Sequence, residues 1–257
     1  MGDLMKYQLY LTLMISLFII MSCSTEESST EPEDQFVLVL DFEVGLDIAE
    51  PSGLTYDPTT QTLWTVNDPP TNQIYNIGLD GELLQTLSFV GNDLEGIAFD
   101  TSTNTLWIAE EELSEIVNVS LQGEELQRVE LNISQYYGGT GLEGLCLGNS
   151  GEFFLLKERS PGMFIEVSAD FATLTETELT FADDYSGICY DSTRDGFWIV
   201  SDESEMLYLW DLTNGVREQY SLGFSKAEGI VYIAETNSFY IVSDSEEKLY
   251  KFHIEEN

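Results

Sequence analysis

Five segments of this chain share a three-residue pattern: serine or glutamate, then glycine, then leucine or isoleucine. The repeated glycines are Gly53, Gly96, Gly144, Gly187 and Gly229. They are spaced 43, 48, 43 and 42 residues apart, and an aromatic residue follows each glycine at eleven residues, or at ten in the third repeat. A recurring period of this length is typical of repeat folds, in which each unit buries its apolar face against the next.

Each repeat contains four short stretches of alternating polar and apolar residues, separated by turn residues. In the first repeat these stretches are 54–56, 62–66, 73–77 and 83–89, with turns at Asp57-Pro58 and Asp80-Gly81. Four short antiparallel strands per repeat are typical of one blade of a β-propeller. The sequence therefore predicts an all-β fold, a five-bladed β-propeller, over residues 36–257.

The fifth repeat has three predicted strands, the last of them near His253. A fourth strand for this blade is available in residues 36–44, before the first repeat. Pairing of the two segments would close the ring and remove the open sheet edges. A sixth blade would need about 40 further residues. We therefore expect five blades closed by the N-terminal strand.

The spacing within the first hairpin of each blade predicts its register. If the residue three after the glycine faces the residue eleven after it, aromatic residues such as Tyr56 and Trp64 stabilise the hairpin as cross-strand pairs. The same register sets the residue before each glycine opposite an acidic residue. The predicted pairs are Ser52 with Asp68, Glu95 with Glu111, Glu143 with Glu158, Ser186 with Asp202, and Glu228 with Asp244. Because the first strand of a blade lines the central channel, these residues should form a ring at one channel mouth.

Eight carboxylates at one mouth repel each other unless raised pKa values, basic partners or a metal ion relieve the repulsion. A set of oxygen ligands without His or Cys, with Asn67 nearby, favours a hard cation, Ca²⁺ before Mg²⁺. Three local bases, Lys157, Arg159 and Lys226, are alternative partners for these acids. The sequence leaves both alternatives open. The bases, Asn67 and the serines Ser52 and Ser186 are also candidate contacts for a small-molecule or protein ligand.

Residues 1–22 form a predicted targeting segment. The apolar run 9–20 is too short to span a membrane comfortably, which favours a cleaved signal peptide. Residues 20–23 (IMSC) resemble the bacterial lipobox, in which the cysteine is lipidated, although an ordinary signal peptide is the alternative. Residues 23–35 are predicted to be a disordered acidic tether. We expect a protein of the cell envelope, anchored through Cys23 at the outer membrane or cell surface rather than the inner membrane.

The chain carries 47 acidic residues against 9 lysines and arginines, a net charge of −38. This charge excludes ordinary nucleic-acid binding, which requires a basic surface. Cys146 and Cys189 occupy equivalent positions on predicted inner strands, so we expect two buried thiols rather than a disulfide. Without a CxxC motif or a Cys/His cluster, no zinc site is predicted.

Several of these motifs together resemble the SdiA-regulated family of bacterial propeller proteins. They include SGLTYDPTTQTLWTVNDPP (52–70), EGIAFDTSTNTLWIAEE (95–111) and SGICYDSTRDGFWIVSDES (186–204). The resemblance covers residues from about 36 to 254. It implies an exported propeller in which Glu143, Lys157, Glu158 and Glu228 belong to the channel-mouth set, and it implies no particular reaction.

Three functions are compatible with these features. The favoured one is a non-catalytic, monomeric binding module that holds a Ca²⁺-like cation and a small ligand or partner at the acidic mouth. The second is a Ca²⁺-dependent hydrolase of lactonase, esterase or phytase type, with Glu143 or Glu158 as the candidate catalytic base. The one histidine, His253, is predicted on an outer strand, which excludes a Ser-His-Asp triad at the mouth. The third is a scaffold protein of the envelope.

Overall fold

The computed structural model describes residues 36–111, 113–133 and 141–256. In these ranges the chain forms five four-stranded antiparallel sheets, which confirms the predicted five-bladed β-propeller. The predicted signal peptide (1–22) and tether (23–35), with Cys23, lie outside the described residues. Within the described ranges, no helix has the length and apolar character needed to cross a membrane.

Each blade is built from strands that are consecutive in the chain, except the last. Blade 1 consists of β2 (Pro51–Asp57), β3 (Thr62–Asn67), β4 (Gln73–Ile77) and β5 (Leu83–Val90). Blade 2 consists of β6 (Leu94–Asp100), β7 (Thr105–Glu110), β8 (Glu115–Ser120) and β9 (Glu125–Glu130). Blade 3 consists of β10 (Leu142–Leu147), β11 (Phe153–Lys157), β12 (Gly162–Val167) and β13 (Thr173–Leu179). Blade 4 consists of β14 (Gly187–Asp191), β15 (Gly196–Ser201), β16 (Met206–Asp211) and β17 (Gly215–Ser221). Blade 5 consists of β18 (Ala227–Ile233), β19 (Ser238–Ser243), β20 (Lys248–Glu256) and β1 (Phe36–Gly45).

The ring is closed by pairing between the two ends of the described chain. Strand β1 runs antiparallel to β20, with Phe36 opposite Glu256 and Gly45 opposite Lys248. A bulge between Leu40 and Phe42 interrupts this ladder. The prediction that the N-terminal strand completes the fifth blade is therefore confirmed.

The register of the first hairpin differs from the prediction by one residue. Tyr56 faces Leu63, and Trp64 faces Thr55. The cause is a four-residue turn between β2 and β3 that ends at Gln61, a residue with φ of 56°, so that Asp57 pairs with Thr62. The same shift occurs in the other blades. The predicted cross-strand aromatic pairs are therefore wrong.

The observed register pairs other aromatic residues across strands, Tyr190 with Phe197 and Tyr232 with Phe239, and aromatic rings also pack between neighbouring blades. Trp107 of blade 2 meets Phe153 of blade 3 edge to face, with ring centroids 5.0 Å apart. Trp198 of blade 4 meets Phe239 of blade 5 in the same way at 4.8 Å. Such pairs contribute stability beyond their buried area. Cys146 and Cys189 are buried as free thiols, as predicted.

The repeated glycine allows the innermost strands to approach closely. A Cβ atom on Gly187 would lie 2.1 Å from the carbonyl oxygen of Glu228, and one on Gly53 would lie 2.2 Å from that of Glu95. Real Cβ atoms do not come this close to oxygen, so these positions require glycine. The repeated glycines and their aliphatic neighbours leave an axial space of only about 10 Å³, room for at most one water molecule. The channel is therefore blocked below its mouth.

Candidate functional site

A cavity of about 150 Å³ opens at one mouth of the blocked channel. All five blades contribute to it, and its lining contains eight carboxyl groups, one lysine and one serine. We call this cavity the acidic pit. Its lining residues are Asp68, Glu95, Glu143, Glu158, Asp184, Ser186, Asp202, Lys226, Glu228 and Asp244.

The inner part of the pit comes from the residue before the repeated glycine in four of the five blades. This residue is Glu95 on β6, Glu143 on β10, Ser186 directly before β14 and Glu228 on β18. In blades 1, 2, 3 and 5 the ladder between the first two strands shifts at this point. Such bulges re-aim a side chain at the end of a strand, and here they coincide with the residues that line the pit.

The outer part of the pit comes from the acidic residue that directly follows the second strand of a blade, which lines the pit in blades 1, 3, 4 and 5. In blades 1, 2, 3 and 5 the backbone N–H of this residue donates to the carbonyl of the residue three before the glycine, as from Glu111 to Asp93 (2.9 Å) and from Asp244 to Lys226 (3.1 Å). The predicted pairing of these acids with the residue directly before the glycine is therefore wrong. The pairs concerned are Ser52–Asp68, Glu95–Glu111, Glu143–Glu158, Ser186–Asp202 and Glu228–Asp244. In blades 1, 2, 3 and 5 the shifted hairpin and the bulge together move the partner by two positions. Blade 4 pairs Gly187 with Val200 without a bulge, so the partner of Asp202 moves by one position.

Seven of the eight acids predicted for the mouth line the pit. The eighth, Glu111, is not among the lining residues and accepts a hydrogen bond from the backbone N–H of Gly141 (2.7 Å). Of the other predicted contacts, Ser186 and Lys226 line the pit. Ser52 lies behind Glu95 and donates to its carboxylate at 2.5 Å.

Three predicted ligand contacts lie elsewhere. Asn67 is buried, and its amide nitrogen donates to the carbonyl of Ala49 at 3.0 Å. Lys157 is also buried, and its Nζ donates to the carbonyl of Pro161 at 3.0 Å. Arg159 is absent from the pit lining and forms an ion pair with Glu158 at 3.2 Å. In the described structure, therefore, the first two side chains serve the fold and the third neutralises a pit acid.

Asp93 and Asp184 are not among the residues predicted from the sequence. Both stand three residues before a repeated glycine, a position that is also acidic in the first repeat, where it is Glu50. Asp184 is buried and accepts hydrogen bonds from the Ser201 hydroxyl and from the backbone N–H of Glu203 (3.0 Å). The recurrence of acids at this position was a signal that could have found them.

Burial and mutual repulsion raise the pKa values of the pit acids. Burial, followed by the charge of Asp202, raises the pKa of Glu228 to about 8, although Lys226 and a hydrogen bond from Ser186 act in the opposite direction. Burial and the charge of Asp244 raise the pKa of Asp68 to about 7. At neutral pH, part of the pit is therefore protonated in the absence of a cation.

The innermost carboxyl groups are the most strongly perturbed. Burial raises the pKa of Glu143 well above its usual range, and the charges of Glu95 and Glu228 raise it further. Burial and the charge of Asp68 also raise the pKa of Glu95 well above its usual range, although the hydrogen bond from Ser52 acts in the opposite direction. Burial and the neighbouring charges thus favour the neutral form of the carboxyl groups at the centre of the pit.

The bases near the pit lie on one side of it. Lys226 pairs with Asp202, while Arg159 pairs with Glu158 and Glu203. All of these residues belong to blades 3 and 4 or to the start of blade 5. The acids of that side are thus partly neutralised.

On the opposite side, at the edge of the pit, lie three acids of blade 2, which we call the blade-2 cluster: Asp93, Glu95 and Glu111. Of these, Glu95 lines the pit, and Asp93 and Glu111 lie outside its lining. Each offers one carboxylate oxygen, and these oxygens lie within 4.8 Å of one another. Oxygen ligands of Ca²⁺ lie 2.3–2.6 Å from the ion, so two of them can be about 5 Å apart at most. Burial, then a hydrogen bond and repulsion with Glu111, raise the pKa of Asp93 to about 6. The cluster has the spacing and the ligand chemistry of part of a Ca²⁺ site.

Several solved structures share this fold. Glutaminyl cyclase from Myxococcus xanthus has a TM-score of 0.65 at 12% identity, over 86% of this chain and 98% of that protein. A gluconolactonase from Xanthomonas campestris has a TM-score of 0.54 at 11% identity, over 84% of this chain and 99% of that one. Virginiamycin B lyase from Staphylococcus aureus has a TM-score of 0.51 at 17% identity, over 79% of this chain and 66% of the lyase. This chain thus spans slightly less than two thirds of the lyase.

At these identities the three structures establish the propeller fold and carry no information on activity. The sequence itself gives a closer relationship. The family model described as SdiA-regulated matches residues 28–243, which includes most of the propeller and all the residues of the acidic pit except Asp244. The chain therefore belongs to the SdiA-regulated family.

Proposed function

We propose that this protein is an exported, lipid-anchored propeller that binds a Ca²⁺-like cation, and with it a small ligand, at the acidic pit. The observation that carries the proposal is the blade-2 cluster, in which Asp93, Glu95 and Glu111 bring three carboxylate oxygens within 4.8 Å of one another. The bases near the pit pair with other acids: Lys226 with Asp202, and Arg159 with Glu158 and Glu203. A cation would supply the missing positive charge.

The chemistry of the cluster suits Ca²⁺ better than Mg²⁺. Ca²⁺ accepts six to eight oxygen ligands in irregular geometry, whereas Mg²⁺ requires a near-ideal octahedron. Asp93, Glu95 and Glu111 would hold the ion, and Glu143 stands close enough for its pKa to respond to the charges of Glu95 and Glu111. A bound cation would lower these raised pKa values because it stabilises the ionised carboxylates.

The remainder of the pit limits the ligand. A cavity of about 150 Å³ is smaller than the roughly 300–1,000 Å³ of pockets for drug-sized molecules. The ligand is therefore a small molecule, or a single side chain of a larger partner. Ser186 and Lys226, which line the pit away from the blade-2 cluster, are the hydroxyl and ammonium groups available to it.

Calorimetric titration of Ca²⁺ into the unlipidated chain carrying Cys23→Ser tests the cation site. We expect saturable binding, weakened at least tenfold by Glu95→Gln, which removes a charge and keeps the shape. Glu130→Gln, which alters an exposed acid on the outer strand β9, is the matched control and should bind as the parent does. Absence of binding in the parent chain would refute the cation site.

The lipid anchor is supported by residues 20–23, which lie outside the described part of the chain. Cells that express the chain should incorporate labelled palmitate into the protein, and Cys23→Ala should abolish the labelling. Membrane fractionation and protease treatment of intact cells would then separate outer-membrane, surface and inner-membrane locations. Unchanged labelling of the Cys23→Ala variant would contradict the anchor.

A Ca²⁺-dependent hydrolase is the second candidate. Glu143 lines the pit, and burial raises its pKa, the direction in which enzymes shift carboxyl groups that act as general acids or bases. A gluconolactonase is among the proteins that share the fold. Measuring the hydrolysis of a panel of lactones, aryl esters and phosphate esters, with Ca²⁺ and with chelator, would distinguish a hydrolase from a binding module. Turnover that Glu143→Gln abolishes while Ca²⁺ binding persists would favour the hydrolase over the binding module.

A further inference from the structure

The last residue of the second strand is polar and buried in all five blades. These residues are Asn67, Glu110, Lys157, Ser201 and Ser243. Each is at most 2% exposed, and each directly precedes an acid of the pit or of the blade-2 cluster. Burial of a polar group is unfavourable unless hydrogen bonds compensate it, so its recurrence in every blade requires an explanation.

In four blades this residue anchors the backbone of the loops around the mouth. The Asn67 amide donates to the carbonyl of residue 49, before β2 (3.0 Å), and its oxygen accepts from the backbone N–H of residue 73 (3.0 Å). Glu110 accepts from the backbone N–H of residue 92 (3.1 Å). Lys157 donates to the carbonyls of residues 159 and 161, and Ser243 donates to that of residue 225. Each thus ties the loop before the first strand or the loop after the second strand to the blade.

In blade 4 the same position contacts a pit acid directly. The Ser201 hydroxyl donates to Oδ1 of Asp184 and accepts from the backbone N–H of Ser204 at 3.1 Å. The same Oδ1 atom accepts from the backbone N–H of Glu203 at 3.0 Å. One buried hydroxyl therefore joins an acid before the first strand to the loop after the second strand.

We propose that Ser201 is a positioning residue that fixes Asp184 and the loop 202–204 at the acidic pit. Ser201 is buried and is not among the residues that line the pit, whereas Asp184 and Asp202 are. It thus acts through its neighbours. Binding sites gain affinity when their groups are held in place before the ligand arrives. The expected effect on cation affinity rests on the proposed function, whereas the effect on the loop does not.

The chain contains a matched control for this proposal. Ser243 occupies the same position in blade 5 and is equally buried, but its hydroxyl donates to the carbonyl of Ser225 (2.9 Å) instead of to a carboxylate. It accepts from the backbone N–H of Glu246 at 3.4 Å. Ser201→Ala and Ser243→Ala therefore remove the same group from equivalent positions and differ in whether a pit acid loses a partner.

Two measurements on the unlipidated full chain test the proposal. The first is amide hydrogen exchange at Glu203 and Ser204. Ser201→Ala should accelerate it about tenfold, as expected for the loss of one hydrogen bond, whereas Ser201→Thr keeps the hydroxyl and should restore slow exchange. Ser243→Ala should leave these two amides unchanged. Asp184→Ala removes the acceptor instead of the donor and should accelerate hydrogen exchange at the amide of Glu203. This variant keeps the test decisive if Ser201→Ala fails to fold.

The second measurement is the Kd for Ca²⁺, because Asp184 and Asp202 line the same cavity as Glu95 of the blade-2 cluster and contribute negative charge to it without being proposed ligands. The Kd should rise about two- to threefold in Ser201→Ala and stay near the parent value in Ser201→Thr and Ser243→Ala. Parent-like exchange in Ser201→Ala, or equal weakening of Ca²⁺ binding by the two alanine variants, would overturn the positioning role. If the parent chain binds no Ca²⁺, the proposed function fails, while the exchange rates still decide the role of Ser201.

Discussion

Replacing Glu228 with glutamine tests whether the acidic pit weakens the fold when no cation is bound. The pKa of Glu228 is raised from its ordinary value of 4.5 to about 8, chiefly by burial. The folded protein therefore keeps this proton at pH values at which the unfolded chain has released it. The contribution of Glu228 to the free energy of unfolding is therefore most favourable below about pH 4.5, where the group is protonated in both states. This contribution is lost as the pH rises towards 8.

The size of the effect follows from the width of this window. Neutral pH lies about 2.5 pH units above the unfolded value, and each unit corresponds to about 1.4 kcal/mol. The product is about 3.5 kcal/mol. Because solvent in the pit screens part of this energy, we expect the ionisation of Glu228 to lower the free energy of unfolding by about 2–3 kcal/mol at pH 7. Glu228→Gln does not titrate, so it should be more stable than the parent by this amount at pH 7. At about pH 5 the difference should fall below about 1 kcal/mol.

Urea unfolding followed by tryptophan fluorescence, with chelator present, measures both differences. Glu130→Gln, at an exposed position, is the control and should show no such pH dependence. Saturating Ca²⁺ should reduce the advantage of Glu228→Gln, because a cation in the pit offsets the repulsion. A Glu228→Gln variant that gains no stability relative to the parent between pH 5 and pH 7 would refute the electrostatic reasoning.

Two further predictions concern the blades. Gly187→Ala should lower the free energy of unfolding by about 3 kcal/mol, since its Cβ would lie 2.1 Å from the carbonyl oxygen of Glu228. Gly45→Ala, whose Cβ would meet nothing within 4 Å, is the control; equal stability of the two variants in urea would contradict the close approach of the inner strands. Burial raises the pKa of both Cys146 and Cys189, so a thiol reagent should modify them only after unfolding. Modification of the native protein, or a missing thiol in the denatured one, would argue against two buried free cysteines.

The blade number and the ring closure were predictable because they depend only on the spacing of the repeats. Each blade needs one set of four strands, and the segment from Phe36 to Gly45 is the strand that blade 5 lacks. The hairpin register was not predictable in the same way. In the first two strands, residues on both faces are buried, so the apolar pattern does not distinguish one register from its neighbour. The turn ending at Gln61 and the bulge near Ser52 decide the register, and neither leaves a clear mark in the apolar pattern.

The site was predictable at the level of its charge but not of each side chain. Acids placed by the repeat gather at one mouth, and seven of the eight line the pit. Lys157 and Glu158, however, are adjacent in sequence and have different environments, since the lysine is buried against backbone carbonyls and the glutamate lines the pit. A shift of one residue at the end of a strand decides between these two environments. Bases and acids next to each other in the chain therefore cannot be assigned to a ligand site by sequence alone.

The most direct test of a cation at the acidic pit is an anomalous difference map from crystals of the protein grown with Ca²⁺. We expect a peak at the mouth within about 2.3–2.6 Å of carboxylate oxygens of Asp93, Glu95 and Glu111. Crystals of Glu95→Gln grown in the same way should show a weaker peak or none. A parent map without a peak beside these three carboxylates at saturating Ca²⁺, although their oxygens lie within 4.8 Å of one another, would rule out a cation site at the acidic pit.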